Sequence, residues 1–181
     1  MLWFCKSTQQ EIIRHRTRLF RLAYAWCGDR AMAEDLVQEA LTRALATTSP
    51  LKEPRALEGW LMVILNNCWR DCLRKKMAGI LEDIDDWAER LEAEELSPEQ
   101  NLAGRQTAIT VRNAIARLPL GQRQVLTLVD MEDRSYAEVA EILGVPAGTV
   151  MSRLARARAA LKEMLTDVRP AAQPAGLRRV K

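Results

Sequence analysis

The sequence predicts an all-α protein built from two small helical domains joined by an acidic segment. Only 5% of the 181 residues are aromatic, whereas alanine, leucine and arginine, which favour helices, are abundant. Apolar residues recur at three- and four-residue spacing, and no stretch alternates apolar and polar residues between turn signals. A chain of this length can bury the cores of one or two small domains.

The first predicted domain spans residues 1–78 and contains three helices. The first helix runs from about Gln9 to Trp26, and Gly28 and Asp29 suit its end and the start of the next helix. The second helix, DRAMAEDLVQEALTRALA, has an unbroken apolar face toward the core. Its opposite face is either solvated or a docking surface, and it carries outward acceptors: Asp35, Gln38, Glu39 and Thr42.

The third helix of this domain, from about Arg55 to Met77, has an outward side rich in amides and cations. Its members are Asn66, Asn67, Arg70, Arg74, Lys75 and Lys76, with Trp60 and Trp69 on the flanks. Amides and cations beside indole rings can bind unstacked bases and follow phosphates. Positive charge at a helix C-terminus also complements the helix dipole, so the residues alone leave both interpretations open.

The acidic segment occupies residues 79–101 and is predicted to be a linker. Between Glu82 and Gln100 there are nine acidic residues and one arginine, a local charge of −8 in a chain of net charge +3. The remaining residues therefore carry +11, which favours two basic domains that bind a polyanion. Residues 166–181 form a basic tail that we expect to be disordered.

The second predicted domain, residues 102–165, contains four helices, of which the last two form a helix-turn-helix. Ser135 and Glu138 have the spacing of a capping box, which starts a helix at Tyr136. Gly144 suits the left-handed turn that ends this helix, and Pro146 suits the entry to the next one. Two short helices around such a turn are typical of proteins that bind the major groove of DNA.

The last helix of this domain has a surface suited to DNA. Its outward side carries small residues, hydroxyls and arginines and has no acid. These residues are Thr149, Ser152, Ala155, Arg156 and Ala159, flanked by Arg153 and Arg158. Arginine in a major groove can bridge guanine edges or phosphates. The plainer alternative is a helical hairpin with a solvated basic face.

The four cysteines do not form the pattern of a secreted disulfide framework, so we expect a reduced, cytoplasmic protein. Cys68 and Cys72 lie one helical turn apart, but burial as small apolar residues explains that spacing better than a metal site. The single histidine, His15, is expected on the surface. We predict no metal, no cofactor, no small-molecule substrate and no insertion into a membrane. The absence of a phosphate loop or a nucleophile motif argues against an enzyme.

Two separate stretches resemble the extracytoplasmic-function (ECF) sigma factors, the compact branch of the bacterial sigma-70 family. AEDLVQEALTRAL followed by GWLMVILNNCWRDCLRKK resembles region 2 of that family. LPLGQRQVLTLVDMEDRSYAEVAEILGVPAGTVMSRLARARAAL is similar to region 4. The likeness covers roughly residues 9 to 77 and 105 to 165, in the family's order, with an acidic linker between them. It implies a region 2-like domain of three helices and a region 4-like domain of four.

The resemblance also implies roles for individual residues. The motif that contains Asp35, Leu36, Gln38 and Glu39 would dock on the clamp helices of the largest subunit of core RNA polymerase. The residues that would open and hold the minus-10 element of the promoter are Trp60, Asn66, Asn67, Arg70, Arg74, Lys75 and Lys76. The residues that would recognise the minus-35 element are Thr149, Ser152, Arg153, Arg156 and Arg158.

Taken together, the likeness implies a sigma factor that brings core polymerase to a bipartite promoter and starts transcription. Its expected partners are the clamp helices and flap of the polymerase, promoter DNA and an anti-sigma factor, which would hold it in the cytoplasm or at the membrane. A stand-alone helix-turn-helix regulator is the main alternative, and a decoy that mimics a sigma factor is a second. Neither alternative explains the acceptors of the second helix and the basic faces of both domains together.

Overall fold

A computed structural model of the chain describes residues 6–47, 56–76 and 103–166. Every regular element in these ranges is helical, which confirms the predicted all-α class. The N-terminal helices are α1 (Lys6–Arg14), α2 (Arg16–Cys27), α3 (Arg30–Ala46) and α4 (Leu57–Lys76). The C-terminal helices are α5 (Ala103–Ala116), α6 (Leu120–Leu126, continued as a π-helix over Thr127–Met131), α7 (Tyr136–Leu143) and α8 (Ala147–Thr166). The acidic linker and the basic tail beyond Thr166 lie outside the described residues.

The first predicted helix is divided in two at His15, so the N-terminal group has four helices in place of three. The N–H of His15 bonds to the carbonyl of Ile12 at 3.2 Å, a three-residue turn, and the ψ of His15 is −5°. The apolar repeat continues on both sides, with Ile12 and Leu19 buried, and therefore does not reveal the break.

The boundary between α2 and α3 forms as the sequence predicts. Gly28 adopts the left-handed conformation at φ 72°, and its N–H bonds to the carbonyl of Tyr24. Asp29 caps α3 by accepting a hydrogen bond from the N–H of Met32 at 2.8 Å. The turn places α3 between α2 and α4, and its alanine-rich face lets the helices approach closely.

The helix-turn-helix also forms as predicted. Ser135 and Glu138 make both bonds of the capping box, and Gly144 ends α7 with φ 69°. The N–H of Val145 bonds to the carbonyl of Ala140 at 3.1 Å and completes the turn before α8. Val139, Val150 and Ala157 have no exposed surface and join α7 and α8 to the core.

The N-terminal and C-terminal helices pack against each other and share one hydrophobic cluster. Helix α4 contacts α7 of the helix-turn-helix, and α2 contacts α5 and α6. At this junction Trp26 is 1% exposed, and its indole Nε1 donates to the Thr127 hydroxyl at 3.0 Å. The relative position of the two groups is therefore defined by specific buried contacts. Among the described helices, none has the length and apolarity needed to cross a bilayer.

Candidate nucleic-acid and polymerase interfaces

The outward face of α8 presents most of the side chains that the sequence predicts for the minus-35 element. Ser152, Ala155, Arg156 and Ala159 are exposed, and Thr149 is half-buried. The Ser152 hydroxyl donates to the carbonyl of Thr149 at 3.1 Å, and Arg156 Nε donates to the carbonyl of Ser152 at 3.4 Å. These bonds orient the hydroxyl and the guanidinium along the helix surface, where small neighbours leave room for a DNA backbone or base edge.

Arg153 does not lie on this face, contrary to the prediction. Its side chain is 7% exposed and packs against the start of α6, where a Cβ built on Gly121 would come within 3.1 Å of its guanidinium carbon. Successive residues of an α-helix are 100° apart around its axis, so Arg153 points away from the face that carries Ser152. It points to the side of α8 that α6 covers. In this conformation Arg153 joins α8 to α6 and does not face solvent.

Arg158 is exposed, but an ion pair holds it. Its Nε and Nη2 atoms donate to the two carboxylate oxygens of Asp130 at 3.2 and 2.5 Å. The hydrogen bond to Asp130 raises the pKa of Arg158. A phosphate or base that binds Arg158 must therefore compete with a carboxylate at the end of the α6 π-helix.

The outward face of α3 presents the predicted acceptors. Asp35, Gln38 and Glu39 are exposed, whereas Leu36 is 4% exposed and lies in the core. The prediction that Leu36 contacts polymerase directly is therefore not supported by its position. Its role in this structure is to seat α3 against its neighbours, which orients the acceptors on either side.

Glu39 is engaged by a charge network with α4. Arg43 Nε donates to Glu39 at 2.7 Å, and Arg43 Nη1 donates to Asp71 at 2.9 Å. The hydrogen bonds to Asp71 and then Glu39 raise the pKa of Arg43, and the bond from Arg43 lowers the pKa of Asp71. Arg74 pairs with the other oxygen of Asp71 at 3.0 Å. One guanidinium thus ties the acceptor face of α3 to the cationic end of α4.

The predicted minus-10 residues of α4 divide into an exposed and a covered set. Asn67, Arg74, Lys75 and Lys76 are exposed, while Trp60 and Arg70 are half-buried. Asn66 is 3% exposed, although the sequence placed it on the outward side. Its Nδ2 donates to the carbonyl of Ile142 in α7 at 3.0 Å, because the helix-turn-helix packs over this part of α4.

The junction beside Asn66 contains polar residues that the sequence analysis did not single out. Gln124 donates through Nε2 to Asn66 Oδ1 at 3.1 Å. Arg123 is 2% exposed and donates to the carbonyls of Trp26, Ala116 and Leu118 at 2.7, 2.7 and 2.8 Å. Burial lowers the pKa of Arg123 to about 10. In the sequence, Arg123 and Gln124 appear only as two polar residues among apolar ones in LPLGQRQVLTLV. This pattern is more typical of a solvent-exposed helix, so it did not predict their burial.

The three cysteines that the structure describes and His15 form no cluster of metal ligands. Cys27 and Cys72 are half-buried, Cys68 is buried, and all three are free. Burial raises the pKa of Cys68, which disfavours the thiolate that a metal or an electrophile would need. His15 lies 3.9 Å from a Glu58 oxygen and is partly covered, so it is less exposed than predicted. Among the described residues no group of three or more potential ligands is close enough to hold a metal ion.

Two family models match separate parts of the chain. The model of Sigma-70 region 2 matches residues 12–78, which include α2, α3 and α4. The model of Sigma-70, region 4 matches residues 109–161, which include the helix-turn-helix. Together with the all-helical fold, these matches place the protein in the sigma-70 class.

Individual relatives show to which branch of the sigma-70 class the chain belongs. The ECF RNA polymerase sigma factor SigE of Mycolicibacterium smegmatis is 35% identical over 156 residues, which cover 86% of this chain and 60% of that protein. The ECF RNA polymerase sigma factor SigM of Mycobacterium tuberculosis is 37% identical over 155 residues, which cover 84% of this chain and 74% of that protein. The chain belongs to the ECF family of RNA polymerase sigma factors, which confirms the resemblance seen in its sequence.

A solved structure has the same fold. The sigma factor RpoE of Bartonella quintana, crystallised in complex with the anti-sigma factor NepR, superposes with a TM-score of 0.73. The match is 28% identical and covers 91% of this chain and 99% of that one. The arrangement of two helical groups is therefore shared with a family member of known structure.

Proposed function

We propose that this ECF sigma factor directs core RNA polymerase to a bipartite promoter through the faces of α3, α4 and α8. The observation that carries the proposal is the presence, on one chain, of an acceptor face on α3 and a helix-turn-helix whose second helix has a basic outer face without acids from Thr149 to Ala159. A stand-alone DNA-binding regulator needs the second feature but not the first. The chain would contribute binding energy and position, while the polymerase supplies the chemistry.

Region 4 would position the complex on duplex DNA. The exposed residues Ser152 and Arg156, with half-buried Thr149, form a compact patch on α8 for the minus-35 element. Arg156 is suited to a guanine edge or a phosphate, and the hydroxyls are suited to either. Arg158 would join them once it leaves Asp130, and Arg153 would support the helix from inside.

Region 2 would bind the polymerase and the melted strand. The exposed carboxylates and amide of Asp35, Gln38 and Glu39 would dock on the clamp helices of the largest subunit. The exposed residues Asn67, Lys75 and Lys76 would follow phosphates, Arg74 would join them once it leaves Asp71, and Trp60 can stack on a base. An unstacked base would offer its Watson–Crick edge to the exposed amide of Asn67, and to that of Asn66 only once its bond to Ile142 of α7 is broken.

The domains proposed for these roles are residues 1–78 and 102–165, joined through the linker at 79–101. Further partners would be the polymerase flap for region 4 and an anti-sigma factor that masks both regions. The Bartonella relative was crystallised with an anti-sigma factor, which supports control by a protein of that kind. The chain would act in the cytoplasm. In its inactive state it would be held at the membrane by an anti-sigma factor.

Run-off transcription tests the proposal directly. Purified core polymerase is incubated with a fragmented genomic library of the source organism, with and without the full chain. We expect new transcripts that share two upstream elements. DNA binding without assembly on polymerase would favour the stand-alone regulator, and assembly without transcripts would favour the decoy.

A further inference from the structure

Arg158 is an exposed cation on the flank of the outer face of α8. It follows Ala155 by three residues, which turns it about 60° around the helix axis from that small residue. When a helix lies in the major groove, the centre of its outer face meets the base edges and its flanks lie near the phosphates on either side. The position of Arg158 is therefore that of a phosphate contact.

Asp130 occupies a pair of donors on Arg158 that suits a phosphate. The Nε and Nη2 atoms of Arg158 donate to the two carboxylate oxygens of Asp130 at 3.2 and 2.5 Å. A guanidinium binds a phosphate in the same way, through two neighbouring N–H groups that donate to two oxygens. Asp130 therefore binds Arg158 as a phosphate of DNA would.

The backbone around Asp130 holds the carboxylate in this position. Asp130 lies in the π-helix Thr127–Met131, in which the N–H of Glu132 bonds to the carbonyl of Thr127, five residues back, at 3.1 Å. Thr127 has no exposed surface, and its hydroxyl accepts a hydrogen bond from the indole of Trp26 at 3.0 Å. The turn that carries Asp130 is thus anchored in the core, and π-helical turns of this kind are often found at functional sites.

Tyr136, the first residue of α7, also contacts the Arg158 side chain. The hydrogen bond to Asp130, and then the charge of Asp130, raise the pKa of Arg158, and Tyr136 acts in the same direction. The side chains of Arg158 and Asp130 are nevertheless 53% and 34% exposed. Ion pairs that are open to water are weak, so a phosphate that approaches this flank can replace the carboxylate.

We propose that Asp130 limits the affinity of this sigma factor for duplex DNA by competing with a backbone phosphate for Arg158. This inference rests on the proposed function, because it concerns the DNA-binding face of α8. When DNA binds, Arg158 passes from a carboxylate to a phosphate, and the loss of the first pair offsets part of the gain from the second. Because phosphates are the same in every sequence, Asp130 lowers the affinity for all duplexes. It leaves a larger share of the binding to the residues at the centre of the face.

Asp130→Asn removes the charge of the carboxylate and keeps the shape of the side chain. Asp133→Asn is the matched control, since it makes the same substitution at an exposed position three residues further along. The φ of Asp133 is 52°, a left-handed conformation that asparagine also tolerates. Each full-length variant is assembled with core polymerase, and circular dichroism verifies that it is folded. Fluorescence anisotropy then measures affinity for the promoter duplex found by run-off transcription, and for a scrambled duplex of equal length, over a range of salt concentrations.

We expect Asp130→Asn to bind both duplexes about two- to fivefold more tightly than Asp133→Asn, as for the removal of one exposed charge pair. The slope of log affinity against log salt should steepen by up to about 0.9, the value for one further phosphate contact. The gain from Asp130→Asn should be smaller in a chain that also carries Arg158→Gln, because the cation for which the two anions compete is then absent.

Two results would overturn the inference. One is an affinity of Asp130→Asn equal to or below that of Asp133→Asn, and weaker binding would mean that the carboxylate orients Arg158 toward DNA. The other is an equal gain with and without Arg158→Gln, because the carboxylate would then act only by general repulsion of DNA.

Arg156→Ala in the same assay separates a failure of this inference from a failure of the proposed function. If Arg156→Ala loses affinity while Asp130→Asn gains none, α8 still binds the promoter, and only the competition by Asp130 is refuted. If neither substitution changes the affinity, the outer face of α8 is not the DNA contact, and the proposed function and this inference fail together.

Discussion

Arg156 and Arg153 provide a direct test of which face of α8 meets DNA. The two arginines are three positions apart, yet Arg156 is exposed and Arg153 is 7% exposed. Replacing Arg156 by Ala should weaken binding of the holoenzyme to promoter duplex by about 1–3 kcal/mol, the usual worth of a base contact. Because 1.4 kcal/mol corresponds to tenfold, the expected loss is about five- to 150-fold in affinity.

Arg153→Ala should behave differently, since it removes a buried side chain packed on α6. We expect it to lower the free energy of unfolding by about 2–4 kcal/mol, as for other large buried side chains cut to Ala. Arg156→Ala should leave that quantity within about 0.5 kcal/mol, as is usual at the surface. Thermal unfolding of the free protein and anisotropy on promoter duplex measure the two effects separately.

The identity of the Arg156 contact can be determined with the same variant. If it reads a base, the affinity loss disappears on duplexes with a scrambled minus-35 element. If it binds a phosphate, the loss is uniform across sequences, and the slope of log affinity against log salt falls by about one. Unchanged promoter affinity for Arg156→Ala, or an Arg153→Ala variant that is stable but cannot bind, would contradict the assignment of this face.

Three further predictions concern docking and stability. Glu39→Lys should reduce assembly with core polymerase while the fold is retained, as measured by co-purification against the control Glu163→Lys; equal assembly would remove the docking role. Ser135→Ala should lower the free energy of unfolding by about 1 kcal/mol through loss of the cap. Hydrogen bonds from the Ser135 side chain and backbone lower the pKa of Glu138 from 4.5. The stabilisation that the ionised Glu138 provides is therefore complete above pH 4.5 and is lost as the pH falls through the lowered pKa. If the difference in unfolding free energy between wild type and Ser135→Ala grew in acid, this account would be wrong. Arg123→Met should cost about 3–5 kcal/mol in urea unfolding, because three buried carbonyls lose a charged donor, and a loss below about 1 kcal/mol would refute that account.

Local features of the fold were predictable because nearby residues determine them. The capping box at Ser135, the left-handed turn at Gly144 and the boundary at Gly28 each depend on contacts within four residues. The buried stripe of α3 follows from helical spacing alone, and Leu45, at its C-terminal end, is the member that proves exposed. The break at His15 was not predicted, since the apolar repeat passes through it unchanged.

The sequence predicted the exposure of a site residue correctly where no other helix packs over that residue. Periodicity separates an inner from an outer side of one helix, and it placed Gln38, Glu39 and Arg156 correctly on exposed surfaces. It cannot show that a second helix covers the outer side. Arg153 lies under α6 and Asn66 under α7 for that reason.

The all-helical class, the helix-turn-helix, the segregation of charge and the family could all be predicted from the sequence, because they depend on residue types and spacings along the chain. The way in which the two helical groups meet is visible only in the folded protein. That junction joins residues about a hundred positions apart, such as Trp26 with Thr127, and its polar residues resemble surface residues when seen in sequence. Their burial depends on a partner surface supplied by distant helices, and this partner also determines which of the predicted DNA contacts are accessible in the free chain.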